Sequence, residues 1–137
     1  LSRGALVFDT RYFVHLFYSK DPAKLKQLKK LAQHSAPKWI SAITLMEMYK
    51  ISVEADGREA AERRSELMKQ DFKVKAVDAD VATSAASLQA AYGLSEGQAV
   101  IAATALALDA ACVTDDPDLK GIAKLKTVWA AGPHKES

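Results

Sequence analysis

The sequence predicts an α/β domain built on a largely parallel sheet with helices on both faces. Short apolar runs alternate with longer segments of helical period, and no hairpin-type turn separates neighbouring runs. Acids also stand beside the ends of those segments: Asp9 after Ala5-Leu6-Val7-Phe8, Glu47 after Trp39-Ile40, Glu96 before a long Ala-rich helix, and Asp116 after Ala111-Cys112-Val113-Thr114. In an open parallel sheet the carboxyl ends of the strands share one crevice, so acids far apart in sequence can meet there.

Each element follows from local chemistry. Ala5 to Phe8 is a buried strand, followed by a helix carrying Tyr12, Phe13, Leu16 and Phe17 on one side. Asp21-Pro22 opens the next helix, in which Leu25, Leu28, Leu31 and Ala32 recur at helical spacing with lysines opposite, and Ala36-Pro37 closes it. Lys38 to Ser41 is a second strand. Thr44 then caps a helix through Leu45, Met48, Tyr49 and Ser52 that ends at Asp56-Gly57, and a more polar helix runs from about Glu59 to Gln70.

Phe72 to Val77 alternates apolar and charged residues, as a half-exposed edge strand does. Asp78 caps a helix stopped by Tyr92-Gly93. Ser95 caps another through Ala99 to Leu108, apolar nearly all round and therefore expected to be central. Ala111 to Thr114 and Thr127 to Trp129 are the last strands.

With 137 residues, 49% of them hydrophobic, residues 5–130 are expected to form one domain with a core that needs no staples. Residues 1–4 are set aside as an N-terminal remnant, because the chain opens on Leu1, and 131–137 as a C-terminal tail. Cys112 is the only cysteine, which excludes an internal disulfide and suits a reducing compartment; in a buried strand it is a core thiol. No run is long and apolar enough to span a membrane, and no signal-peptide pattern is present, so a soluble cytoplasmic protein is expected.

The net charge of +2 excludes nothing, but its distribution is uneven. Lys20, Lys24, Lys26, Lys29, Lys30 and Lys38 are opposed only by Asp21, which describes either a solvated helix face or a phosphate-contacting patch. Leu28 and Tyr49 serve either the core or a partner helix.

The acids each carry two readings. Asp9 either caps the first helix or meets a cation at the end of a buried strand. Glu47 stands three residues after Thr44, so it either closes a capping box or serves as a ligand. Asp115, Asp116 and Asp118 crowd a turn at Pro117, where their repulsion calls for a nearby positive charge. His15, His34 and His134 share no metal spacing. The inventory therefore suits a hard cation with oxygen ligands, Mg²⁺ or Mn²⁺, and it contains no serine elbow, phosphate loop or dinucleotide fingerprint.

Val7-Phe8-Asp9-Thr10, Ile43-Thr44-Leu45-Met46-Glu47, the segment from Leu94-Ser95-Glu96-Gly97-Gln98 through Ile101-Ala102-Ala103-Thr104-Ala105, and Val113-Thr114-Asp115-Asp116-Pro117-Asp118-Leu119 together resemble the PIN-domain family, especially its VapC-type toxins. The likeness spans nearly the whole chain. It implies a three-layer PIN fold, a Mg²⁺- or Mn²⁺-dependent endoribonuclease acting on RNA, a homodimer, and inhibition by a VapB-type antitoxin. It further implies that Asp9, Glu47 and Asp116 are catalytic and hold metal, with Asp118 as a further acid and Thr114 as the usual hydroxyl.

The family's third acid is Gln98 here, which an amide cannot match in charge. Ser95 and Gln98 have capping-box spacing, and Glu96 is the acid left to point at the site, although two positions rotate a side chain by about 200°. Arg11 is unusual after Asp9-Thr10 and is free to pair with an acid or a phosphate. Two rivals follow: a catalytically weakened PIN-fold module that binds RNA or antitoxin without a full metal site, and a phosphoryl-transfer enzyme that begins strand-Asp. The second needs an Asp where Arg11 stands.

Overall fold

The computed structural model describes residues 4–129; residues 1–3 and 130–137, which hold most of the expected remnant, the expected tail and His134, lie outside the described residues. The elements are β1 (Leu6–Phe8), α1 (Thr10–Tyr18), α2 (Pro22–Ala32), β2 (Lys38–Ser41), α3 (Ala42–Asp56), α4 (Arg58–Asp71), β3 (Lys73–Lys75), α5 (Ala79–Tyr92), α6 (Glu96–Ala107), β4 (Ala111–Val113), α7 (Pro117–Lys120) and β5 (Thr127–Val128). The strands form one sheet in the order β3-β2-β1-β4-β5, and every pairing is parallel.

Helices cover both faces, which gives three layers. Successive side chains on a strand point to opposite faces, and the core divides accordingly. Val7 and Cys112 face α5 and α6, where Val81, Ala99, Ile101 and Ala102 meet them. Leu6, Phe8, Ile40 and Val113 face α1 to α4. The small residues along α6 let it lie close to the sheet, and Ala99, Ile101, Ala102, Ala103, Thr104 and Ala105 are all buried, as the apolar circumference of that segment predicts.

On the opposite face an aromatic cluster fills the layer. Phe8 meets Tyr12 at 4.8 Å and Phe72 at 5.0 Å, and Phe13 meets Phe72 at 5.2 Å, all edge to face. Tyr12 donates its hydroxyl to the Leu28 carbonyl at 2.6 Å, which ties α1 to α2. Burial pushes that phenol up to about 12, so it stays a donor at any physiological pH. Leu28 is wholly buried and unavailable to a partner.

Three helix starts agree with the sequence reading: Asp21 accepts from Ala23 and Lys24, Asp78 from Val81, and Ser95 from Gln98. Gly93 takes the left-handed conformation (φ 68°) that ends α5 without the penalty of a Cβ. One start is corrected. Ser41, not Thr44, caps α3 by accepting from the Ile43 N–H, so the helix begins directly at the end of β2 and Thr44 is buried in its first turn. The edge strand is shorter than expected, and Pro117-Asp118-Leu119-Lys120 is a short helix where a turn was expected, because Pro117 occupies its first position and Asp116 caps it.

Because Phe8 is fully buried among rings that cannot collapse into its space, Phe8→Ala is expected to lower the unfolding free energy by about 3–5 kcal/mol. Urea denaturation followed by circular dichroism measures this; a loss under about 1 kcal/mol would show that the cluster is not the packing centre of its layer.

Candidate active site

The sheet order reverses at β1, with β2 on one side and β4 on the other, and a crevice opens outside the carboxyl ends of strands at such a point. Phe8 pairs with Val113, and the Asp9 N–H still donates to the Val113 carbonyl at 3.0 Å. Asp9 and the turn after β4 are thereby held side by side. A cleft of about 480 Å³ lies here, walled by Asp9, Thr10, Arg11, Glu47, Gln98 and Asp116.

Asp9 is 4% exposed and makes no side-chain cap on α1, although the nearby Arg11 N–H lowers its pKa somewhat. Its Oδ2 instead accepts the Thr114 hydroxyl at 2.6 Å. Burial pushes the Asp9 carboxyl up to about 6, with the neighbouring Asp116 charge adding to it and the Thr114 hydroxyl only partly offsetting it. The Arg11 charge lowers it too, but it is the smallest of these influences and does not offset the burial.

Glu47 forms no capping box, since Thr44 does not start the helix. Its Oε1 accepts the Thr10 hydroxyl at 2.6 Å, and that hydroxyl also lies 3.0 Å from the Thr44 hydroxyl. The carboxylate occupies the space where a side chain at position 97 would begin, so Gly97, in the first turn of α6, is what admits it. Lys50, Ile51 and Glu54 continue the same helical face into the cleft.

Asp116 is buried and doubly used. Its Oδ1 accepts the Asp118 N–H at 2.9 Å, capping α7, while its own N–H donates to Thr114 Oγ1 at 2.9 Å. Gln98 completes this side. Its Oε1 accepts the Ser95 N–H at 2.9 Å in the expected capping box, and that contact orients the amide. Its Nε2 then faces the acids and donates to Asp116 Oδ2 and Asp118 Oδ2, both at 2.9 Å. A neutral donor therefore bridges two carboxylates where the resemblance implies a further acid.

Glu96 is exposed and is not among the residues walling the cleft, while Asp118 reaches its edge through Gln98. Asp115 points away. Its Oδ1 accepts from Arg11 Nε at 2.6 Å and its Oδ2 lies 3.0 Å from His15 Nε2, which relieves the crowding of the aspartate turn. Burial works to raise the Asp115 carboxyl, but the Arg11 hydrogen bond and charge, with His15, hold it below its usual value. Cys112 is buried behind Asp9, and burial pushes its thiol well up, consistent with an inert core residue.

The donor chemistry is all oxygen, which suits a hard divalent cation and not zinc. Among the described residues, however, no three His, Cys, Asp or Glu side chains converge closely enough, as they stand, to hold an ion. In donor type, though not in present spacing, Asp9 and Asp116 suit such a cation, and the Gln98 side of the cleft is neutral. Sequence reasoning missed Thr10, Gly97 and Lys50. Lys50 was legible from its three-residue spacing to Glu47, whereas the Thr10 contact spans 37 positions and carried no local signal.

The profile of the PIN domain family matches residues 6–125. The chain belongs to the PIN domain family. Solved structures show the same fold. A chain of the VapBC2 complex from Rickettsia felis, bound to a promoter DNA fragment, superposes with a TM-score of 0.75 at 18% identity, covering 91% of this chain and 98% of that one. A toxin-antitoxin complex from Klebsiella pneumoniae gives 0.71 at 24% identity, with 90% and 95% covered. The Mycobacterium tuberculosis toxin VapC20, which cleaves the sarcin-ricin loop, gives 0.72 at 19%, with 88% and 98% covered. No curated protein matches this PIN-domain chain. Among its described residues, no helix is long and apolar enough to cross a membrane.

The Asp9 shift has a stability consequence of definite sign. A carboxyl whose folded pKa exceeds its unfolded value binds more protons when folded, so stability falls as pH rises from 3.8 through about 6. Asp9→Asn is expected to raise stability at pH 7 by about 1–3 kcal/mol and to flatten that part of the pH profile. Chemical denaturation at a series of pH values tests this, and an unchanged profile would mean that Asp9 is not buried as a charge.

Proposed function

We propose that this chain is a divalent-metal-dependent endoribonuclease of VapC type, the toxin of a toxin-antitoxin pair. The observation that carries the proposal is Asp9: an acid buried at the end of β1, pushed up to about 6, beside Asp116 and facing a cleft that also admits Glu47. A buried like-charged pair of this kind is costly unless a cation joins it. Perturbed acids in a cleft are a mark of function.

In this reading Asp9 and Asp116 hold Mg²⁺ or Mn²⁺, with Glu47 and Asp118 as further acids around it. Glu96, exposed and off the cleft wall, takes no part. When bound, such a metal lowers the pKa of its water and stabilises the charge that builds on an RNA phosphodiester. The chain's own residues set the frame. Thr114 orients the Asp9 carboxylate, Thr10 orients that of Glu47, and Gly97 keeps the space for it open. The solved complexes of similar fold supply the support for a VapB-type antitoxin as partner; a homodimer and a cytoplasmic setting belong to the same proposal.

A second reading has its own observation. Gln98 spends both N–H groups on Asp116 and Asp118, which lowers the negative charge available to an ion. On that ground the chain would be a weakened module that binds RNA or antitoxin without turnover.

One set of measurements separates the two. Wild-type protein with Mn²⁺ is expected to cleave RNA and to give a saturable calorimetric heat. Asp9→Asn is expected to lose at least about 100-fold in rate while remaining folded, and Gln98→Asp to bind Mn²⁺ about tenfold more tightly. Wild-type protein that neither cleaves RNA nor gives a saturable Mn²⁺ heat would support the weakened module.

A further inference from the structure

RNA must approach a cleft whose walls are acidic, and the lysines of α2 do not line it. The cations in its wall are Arg11 and Lys50. Arg11 is the better defined of the two, because it is anchored at one atom. Its Nε donates to Asp115 Oδ1 at 2.6 Å, and Asp115 is held in turn by His15 Nε2 at 3.0 Å. His15 packs edge-on against Trp129 at 5.5 Å, which fixes that end of the chain of contacts.

An arginine bound through Nε alone leaves its terminal nitrogens available. Among the described residues, neither Nη group of Arg11 has a protein hydrogen-bond partner, and the side chain is 48% exposed. The planar guanidinium offers that outer edge as two parallel donors, a match for two oxygens of a phosphate. An ordinary surface ion pair would account for the Asp115 contact alone. It would not account for an arginine standing in the wall of an acid-lined cleft with its remaining donors free.

Resting on the ribonuclease reading, we propose that Arg11 is a substrate-binding residue: its terminal nitrogens grip a backbone phosphate of single-stranded RNA beside the acid cluster. Asp115 and His15 are positioning residues that act through it. Arg11 thus supplies, from the chain itself, a positive charge that the neutral Gln98 side of the cleft does not.

The test is binding without cleavage. A short fluorescein-labelled single-stranded RNA is titrated in EDTA at several salt concentrations and followed by anisotropy, using wild type, Arg11→Gln and Arg11→Lys, with thermal melts to confirm folding. Arg11→Gln is expected to weaken binding about tenfold and to make the slope of log affinity against log salt shallower by about 0.7, the signature of one lost phosphate contact. Arg11→Lys is expected to keep the slope while binding less tightly, since the charge remains and the fork does not. Wild-type binding that Arg11→Gln leaves unchanged in strength and slope would overturn the role of Arg11 and leave the ribonuclease reading standing. Wild-type protein that shows no salt-dependent binding would overturn RNA as the substrate, and the role of Arg11 with it.

Discussion

The parallel pairing of β1 with β4 is the contact on which the site depends. Register sets Phe8 opposite Val113, and the ladder continues one bond further, from the Asp9 N–H to the Val113 carbonyl. Two carboxylates from segments more than a hundred residues apart are thereby fixed next to each other in a place with little water. A shift of one residue would turn Asp9 to the other face of the sheet and dissolve the arrangement. The aromatic layer on one side and the close-packed small residues of α6 on the other make that register rigid.

That rigidity has a cost in stability. Asp9 is kept nearly out of solvent beside another acid, with a hydroxyl as its main compensation. Sites held in unfavourable electrostatic states are where stability is given up for function. The pattern around Asp9 has this character: Thr114 and Thr10 donate hydroxyl protons to carboxylates, Gln98 donates amide protons to two more, and Arg11 is tied to the one aspartate that turns away. Neutral donors steady the acids without cancelling their charge.

Much of this was legible in the sequence, for reasons that are local. Asp21-Pro22, Asp78 and Ser95 each cap a helix through a contact two or three residues away, and the apolar circumference of α6 declares its burial. The family resemblance supplied the order of the acids. The start of α3 misled because Thr44 and Glu47 have the spacing of a capping box, while the competing partner, Thr10, lies 34 positions from Thr44. Gln98 shows both sides of the matter: its bond to Ser95 follows from spacing, but its bridge to Asp116 and Asp118 needs the sheet to bring α6 and the β4 turn together. The Arg11–Asp115 pair, 104 positions apart, had no sequence signal beyond an arginine in an uncommon place.

We propose that the acids at the β1/β4 switch hold a divalent ion although the third side of the site is neutral. Anomalous diffraction from crystals soaked in Mn²⁺ tests it directly. A single strong anomalous peak is expected within bonding distance of the carboxylates of Asp9 and Asp116. Crystals saturated with Mn²⁺ that show no peak between those two residues, or show one only elsewhere on the molecule, would contradict it.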